Sequence, residues 1–471
     1  MDERAKKQEK LKNAVIVVLF LTTILLLNLT WRSEGQGSFR LSSVLDFISP
    51  DVWVPDADEF VTADSAVYGF GDATFSLDRV NAEQQLQSVL ELLRRESANA
   101  SFLINEVTDQ QYRDMLRSYR SLKVRLSCPV PFGEFCDRTG INRNSTYDQV
   151  TTVDAFLISE AAPESIFVEG GGQCWRFISD SEEDLAGPFL TGLTRGEPIY
   201  YTAASMLGGE NLSLLPLAQT SELSQTEWES ESSDDPERAS REMAESVFGE
   251  NFDFVRRITD SFGNVTYMYG YGEKTLTCLT DGSFEYKTET ADGPDPGFYG
   301  SLQTAIAFTA THGGWGSDRR DLDYVLCSAV ESGSGRSKVY TFGFAQMLGG
   351  VKLLSEDGPA IIVTVSGGEV SYYRRAVAKA ATATAETQPA AEAANVIAGN
   401  SHLIYSVLTG NVLSANSDEE FSYVADHLKD AYIAYVVTED SLRPAWVVAT
   451  KEDALFFFGL YDALPLGFTR E

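Results

Sequence analysis

The stretch Ala14–Trp31, AVIVVLFLTTILLLNLTW, carries no charge and is almost wholly apolar. A helix of this size, rising 1.5 Å per residue, nearly crosses a bilayer core of about 30 Å. Ahead of it lies MDERAKKQEKLKN, with five basic and three acidic residues. Basic residues on the amino side hold that end in the cytoplasm and send the remainder out. The flank that follows, TWRSEGQG, offers no small-residue cleavage site of the Ala-x-Ala type. The pattern predicts an uncleaved signal anchor, with a removed signal peptide as the alternative. Expected boundaries are a cytoplasmic tail over 1–13, one transmembrane helix over 14–31, and an extracytoplasmic body beyond.

Charge narrows what that body meets. The chain of 471 residues has a formal net charge of −32, and removing the tail leaves 32 basic against 66 acidic residues. Such a balance repels nucleic acid and anionic lipid surfaces. It favours a body that stays off the membrane surface or meets a cationic partner. About 440 exported residues exceed one ordinary core and suggest two or three domains. The five cysteines are too few for a disulfide scaffold. Cys128 and Cys136 bracket a Pro/Gly loop and are placed to pair across it, but buried free thiols are the default. Five Asn-x-Ser/Thr triplets, at Asn28, Asn99, Asn144, Asn211 and Asn264, matter only in a glycosylating host.

Periodicity organises the rest. Leu86, Val89, Leu90 and Leu93 make one helical stripe, and a capping box of Thr108 and Gln111 opens a second helix. Val124, Leu126, Cys128 and Val130 alternate along a strand, and Gly170, Gly171 and Gly172 turn a hairpin between SIFVE and CWRFIS. Residues 36–217 read as a mixed α and β domain. Residues 218–241 are acidic and poor in large apolar groups, and read as a flexible linker. Strand-like runs and a helix over FYGSLQTAIAFTATH make a middle module, 242–330, and further strands and a helix make a final module, 331–471. The two share aromatic–glycine alternation ahead of a Gly-turn hairpin, which suggests a duplicated antiparallel-sheet-plus-helix unit. The Ala/Thr-rich tract 376–395 reads as a solvated helix or a loop. The fold class expected is thus α+β behind one transmembrane helix.

No catalytic pattern emerges. His312, His402 and His427 fall in no metal-ligand spacing, and no metal or cofactor site is expected. His312, in THGGW, suits a helix C-terminus. A Cys174–His312 nucleophile pair is the weaker alternative to a core cysteine beside Trp175. Gly-x-Ser-x-Gly and Ser-x-x-Lys are absent, and SGSGRSK reads as a hairpin turn rather than a phosphate loop. Thr23 and Thr30 share one face of the anchor helix, where hydroxyls bond either to a partner helix or back to their own carbonyls. They are the expected partner-binding residues.

The order of parts, together with KNAVIVVLFLTTILLLNLTW, the AFLISEAAPESIFVEGGGQCWRFIS hairpin, AIIVTVSGGEVSYYRR and the tail AYIAYVVTEDSLRPAWVVATKEDALFFFGLYDALPLG, resembles the YycH family. The tail is similar to the Tyr-then-Pro-x-Trp strands that close this family and its sister, YycI. The resemblance implies a membrane-anchored, extracytoplasmic regulator of an essential cell-wall sensor histidine kinase in low-GC Gram-positive bacteria. It also implies a YycI-type partner, no cofactor and no catalysis. The acidic linker and the Ala/Thr tract depart from that pattern. Exported cell-wall hydrolase, protease inhibitor or wall-binding module are the competing readings.

Overall fold

A computed structural model describes residues 53–470, apart from 100–101, 144, 180–182, 231–234, 290–292, 316–323, 336–337, 381–383, 412–417 and 440. The cytoplasmic tail, the anchor and its Thr23 and Thr30 lie outside the described residues, among which no helix is long and apolar enough to cross a membrane. The fold is mixed α and β, built on antiparallel sheets, and Val54–Glu471 forms one compact unit.

The first half carries a nine-stranded sheet in the order β3-β7-β6-β5-β4-β1-β2-β8-β9. Its strands are β1 (Ala63–Phe70), β2 (Thr74–Asp78), β3 (Leu103–Glu106), β4 (Arg120–Pro131), β5 (Thr152–Ser159), β6 (Ser165–Gly170), β7 (Gln173–Ile178), β8 (Ile199–Thr202) and β9 (Leu214–Pro216). Helix α1 (Ala82–Asn99) buries Leu86, Val89, Leu90 and Leu93, the stripe its spacing requires. Helix α2 (Asp109–Ser118) begins at a complete capping box of Thr108 and Gln111, and α3 (Phe132–Thr139) follows β4 directly. Two single-turn helices, α4 (Gly187–Leu190) and α5 (Ala203–Leu207), close this half.

Two very short strands, β10 (Thr220–Leu223) and β11 (Glu229–Ser230), and then α6 (Pro236–Phe248) occupy the segment expected to be a free linker. A thirteen-stranded sheet follows. It contains β12 (Arg256–Thr259), β13 (Val265–Tyr269), β14 (Lys274–Cys278), β15 (Phe284–Thr288), and, after helix α7 (Gly297–Thr311), β16 (Tyr324–Ser332), β17 (Val339–Leu348), β18 (Val351–Leu354), β19 (Ile361–Ser366) and β20 (Glu369–Arg375). Short β21 (Ala378–Lys379) and β22 (Thr384–Pro389) precede α8 (Ala393–Gly399), α9 (Ser401–Thr409) and α10 (Asp418–His427). The chain ends with β23 (Leu428–Val437), β24 (Leu442–Thr450), β25 (Ala454–Gly459) and β26 (Pro465–Arg470).

Strand β17 joins this sheet. Val339–Phe344 pairs with β19, Gln346–Leu348 pairs with β18, and the opposite edge pairs with β16. Two half-sheets therefore hang from one strand: β12 to β15 with β20 and β19, and β18 with β23 to β26. Helix α7 is apolar nearly all round and buries Phe298, Leu302, Ala305 and Ile306 on the first half-sheet. Trp315, Phe344 and Phe60 form a compact aromatic set, with centroids 4.6–5.2 Å apart. Helices α8 to α10 cover the second half-sheet, where Trp446, Phe456, Phe458, Ile404 and Val396 pack together.

This topology corrects the expected boundaries. The border at 330/331 falls inside β16, and β15 of the middle module pairs with β20 of the final one. The modules interleave because their strands share one ladder. The two tracts read as linker and loop, within 218–241 and 376–395, pair with each other: β10 with β22, and β11 with β21. Trp228 Nε1 donates to the Thr438 carbonyl at 3.0 Å, and Tyr461 donates to the Leu223 carbonyl at 2.6 Å. Backbone pairing and aromatic anchors give this polar strap the order that its composition lacks.

A docked strap resists proteolysis. Native digestion with a glutamyl endopeptidase should spare the bonds after Glu222 and Glu227, whereas Trp228→Ala should cost roughly 2 kcal/mol and open them. Early cleavage there in the wild-type chain would contradict the docking.

Candidate functional site

The two sheets meet where β4 approaches β16, leaving a crevice of about 890 Å³. Charged side chains line it from both sides. Asp64 on β1 accepts hydrogen bonds from Lys352 Nζ on β18 at 2.9 Å and from Arg79 at 3.0 Å. Arg125 on β4 donates to Asp430 on β23 at 3.0 Å. Lys123 Nζ donates to the Tyr112 hydroxyl at 3.0 Å and to Glu169, and Tyr112 donates to the other Glu169 oxygen at 2.7 Å. These side chains come from elements up to 305 residues apart.

Burial alone would raise the Asp64 carboxyl, but the Lys352 ammonium and the Arg79 and Arg125 guanidiniums together hold it far below the usual carboxylate range. Arg125 is correspondingly raised, chiefly by Asp430. Asp154, next on the crevice wall, is raised by burial and by the nearby Glu169 charge. Both Asp64 and Arg125 are thus held fully charged, and their pairs tie the first sheet to the second.

Cys128, on the crevice wall, and Cys174, behind it, are not primed as nucleophiles. Burial pushes the Cys128 thiol up to about 12, and burial with the Glu169 charge raises Cys174 well above the ordinary thiol range. Neither is a thiolate at neutral pH, which a cysteine nucleophile requires. All five cysteines are free, so Cys128 and Cys136 are not paired. Cys174 packs among Met115, Leu157 and Phe167.

The histidines are scattered. His312 ends α7, where its Nδ1 lies 2.8 Å from the Phe308 carbonyl oxygen and its ring stacks on Phe308, as the Gly313-Gly314 stop suggested. Burial lowers its pKa and keeps the ring neutral. Its own carbonyl accepts from Tyr373, and buried Arg375 donates to Gly314, so the helix terminus is sealed without Cys174. His402 and His427 belong to α9 and α10, each beside a glutamate. Among the described residues no cluster of three or more His, Cys, Asp or Glu is placed to hold a metal ion.

The crevice was not legible in the sequence, since no local spacing links Asp64 with Lys352 or Arg125 with Asp430. A second feature also escaped it: Phe254, Ile258, Phe262, Tyr271 and Leu279 stand exposed around β12. The signal available was the aromatic content of a segment whose strands are short and polar.

No family model matches the chain, and no curated protein matches it. Among solved structures, YycH from Bacillus subtilis superposes with a TM-score of 0.51 at 13% identity, over 85% of this chain and 96% of that one. The fold is YycH-like. An uncharacterised protein from Eubacterium rectale matches at a TM-score of 0.32 and 9% identity, over 53% of this chain and 82% of that one. The likeness spans 85% of this chain, so it takes in parts of both the nine-stranded sheet and the branched sheet.

The Asp64 hub carries a pH signature. Folding lowers its pKa, so its contribution is full above the unfolded value of about 4 and declines as the pH falls below that. Asp64→Asn should cost roughly 2–4 kcal/mol at pH 7. Urea midpoints of variant and wild type should draw together as the pH falls below about 4, the gap closing only well below the ordinary carboxylate range. A gap that stays constant through that fall would contradict the hub.

Proposed function

We propose that this chain is a membrane-anchored regulator that acts outside the cytoplasm, by contact, on a two-component sensor histidine kinase concerned with the cell wall. The observation that carries the reading is the fold likeness to YycH from Bacillus subtilis along nearly the whole of that structure. The uncharged span Ala14–Trp31 and its basic flank support the topology: one membrane helix, tail inside, body outside. The neutral, buried thiols and dispersed histidines favour a role without catalysis. A sister regulator of the YycI type fits the same scheme as a second partner.

In this reading the anchor is also a contact element. Thr23 and Thr30 lie seven residues apart on one face of the span, where each interhelical hydroxyl bond in lipid is worth about 0.6–2 kcal/mol. Replacing both by Leu preserves insertion, because Leu is at least as favourable in a membrane span. The double variant should co-purify with the kinase about tenfold more weakly, the equivalent of 1.4 kcal/mol. Unchanged co-purification would confine recognition to the exported body. Signalling should survive Cys174→Ala and His312→Ala in variants that remain folded. Its abolition in a folded His312→Ala variant would point to an exported enzyme instead.

A further inference from the structure

Strand β12 is one outer edge of the large sheet, paired among the described residues on one side only, with β13. All four of its residues, Arg256 to Thr259, are exposed. Other edges differ from it, and that of β16 lies against β4 of the first sheet. Strand β26 carries Pro465 and a register shift against β25, and β9 is three residues long and ends in Pro216. Strand β3 is also four residues long, but of its residues only Leu103 is an exposed large apolar group. Around β12 the surface is different. Among the described residues, five of the thirteen exposed large hydrophobic ones fall between Phe254 and Leu279. Phe254 is 75%, Phe262 81% and Tyr271 99% exposed, the three most exposed aromatic side chains among the described residues.

The register decides what each β12 side chain does. Arg257 lies opposite Tyr267, on the face covered by α6, and pairs with Glu237 of that helix. Arg256 and Ile258 point to the opposite, open face, across from Met268 and Thr266. Arg256 has no ion-pair partner among the described residues. The turn between Phe254/Tyr271 and the turn at Phe262 bracket the strand with apolar groups at both ends. Asp253 and Asp260 bracket it with charge, and Asp260 is committed to its own turn, accepting from the backbone of Phe262 and Asn264 at 2.8 and 2.9 Å. The centre of the edge is therefore basic and apolar, in a chain whose net charge is −32.

We propose that β12 is a docking edge for an extended segment of a partner polypeptide, added as an antiparallel strand. The free backbone groups of β12 supply the ladder. The partner presents, on its one face, a central carboxylate toward Arg256 and apolar side chains toward Ile258 and Phe254. A second copy of this chain is a poor occupant. Antiparallel self-pairing of Arg-Arg-Ile-Thr sets four guanidiniums in one short ladder and brings together two strongly acidic bodies. The arginines thus exclude the self-copy and select a carboxylate-bearing strand. The surface stands on its own geometry and does not depend on the kinase reading.

The test uses the full chain in detergent and the fluorescent heptapeptide Thr-Ile-Thr-Glu-Thr-Phe-Thr, whose Ile, Glu and Phe share one face. The expected result is saturable binding that weakens about tenfold with Arg256→Glu, with Phe262→Ser, or when the peptide Glu is replaced by Lys, while Arg256→Lys retains it. Backbone N-methylation on the pairing edge of the peptide, which leaves its side chains unchanged, should abolish binding. Equal binding of the methylated peptide would overturn ladder pairing. Equal binding of the Glu and Lys peptides, or none of the unmodified one, would overturn the partner chemistry. A dimer of the full chain that Ile258→Asp dissolves would make the second copy the occupant and overturn the proposal.

Discussion

Strand β17 is the element on which the molecule depends. Its first six residues hold β19 and its last three hold β18, so both half-sheets hang from one backbone ladder. Its side chains carry the same load. Phe342 and Phe344 are fully buried on one face of the strand, Phe342 meeting Phe298 of α7 and Phe344 meeting Trp315 and Phe60. Gly343 lies between them where a Cβ would fall 2.8 Å from the Pro359 ring and closer still to the Ser328 hydroxyl. A side chain there would push apart the loop before β19 and the edge strand β16. Loss of this strand would separate the two half-sheets and uncover α7.

The first sheet is attached to that framework by polar ties as well as by apolar packing, with Phe60 against Trp315 and Phe344 and with Ala203 and Leu215 in the core of the second half-sheet. Glu134 of α3 accepts from the backbone N–H groups of Phe298 and Tyr299 at 3.0 and 3.2 Å, so a carboxylate from one half seats at the positive end of α7 in the other. Gln303 holds the backbone of Pro55 and Ala57. The Asp64–Lys352 and Arg125–Asp430 pairs complete the seam. Removing one member leaves its partner charged in a half-dry crevice, which costs more than the pair contributes net. Specific geometry between halves, rather than bulk stability, is what such a seam provides. A body that acted through contact, as proposed, would need its surfaces held at fixed relative positions.

Local grammar was readable in the sequence. The capping box at Thr108, the α1 stripe, the β4 alternation and the glycine-turned β6–β7 hairpin all rest on residues within one or two turns of each other. Long-range pairing was not. Thr220–Leu223 was read as part of a linker and Thr384–Pro389 as part of a solvated helix or loop, because both lack apolar alternation, and their order comes from pairing with each other and from Trp228. The Asn400 break between α8 and α9 was hidden in one apolar run, and β18, β26 and α10 left no clear period. The Asp64 hub joins residues whose neighbours in sequence say nothing of charge pairing. Thr23 and Thr30 belong to the segment beyond the described residues, where the sequence alone speaks.

The account rests on a body held at the membrane that regulates by touching a kinase. Covalent cross-linking in intact cells stripped of wall, followed by identification of every protein joined to this chain, tests that most directly. The account predicts a sensor histidine kinase among the cross-linked partners, joined to the exported body and the anchor. Cross-links to wall polymer or secreted substrates, with no kinase among them, would contradict it.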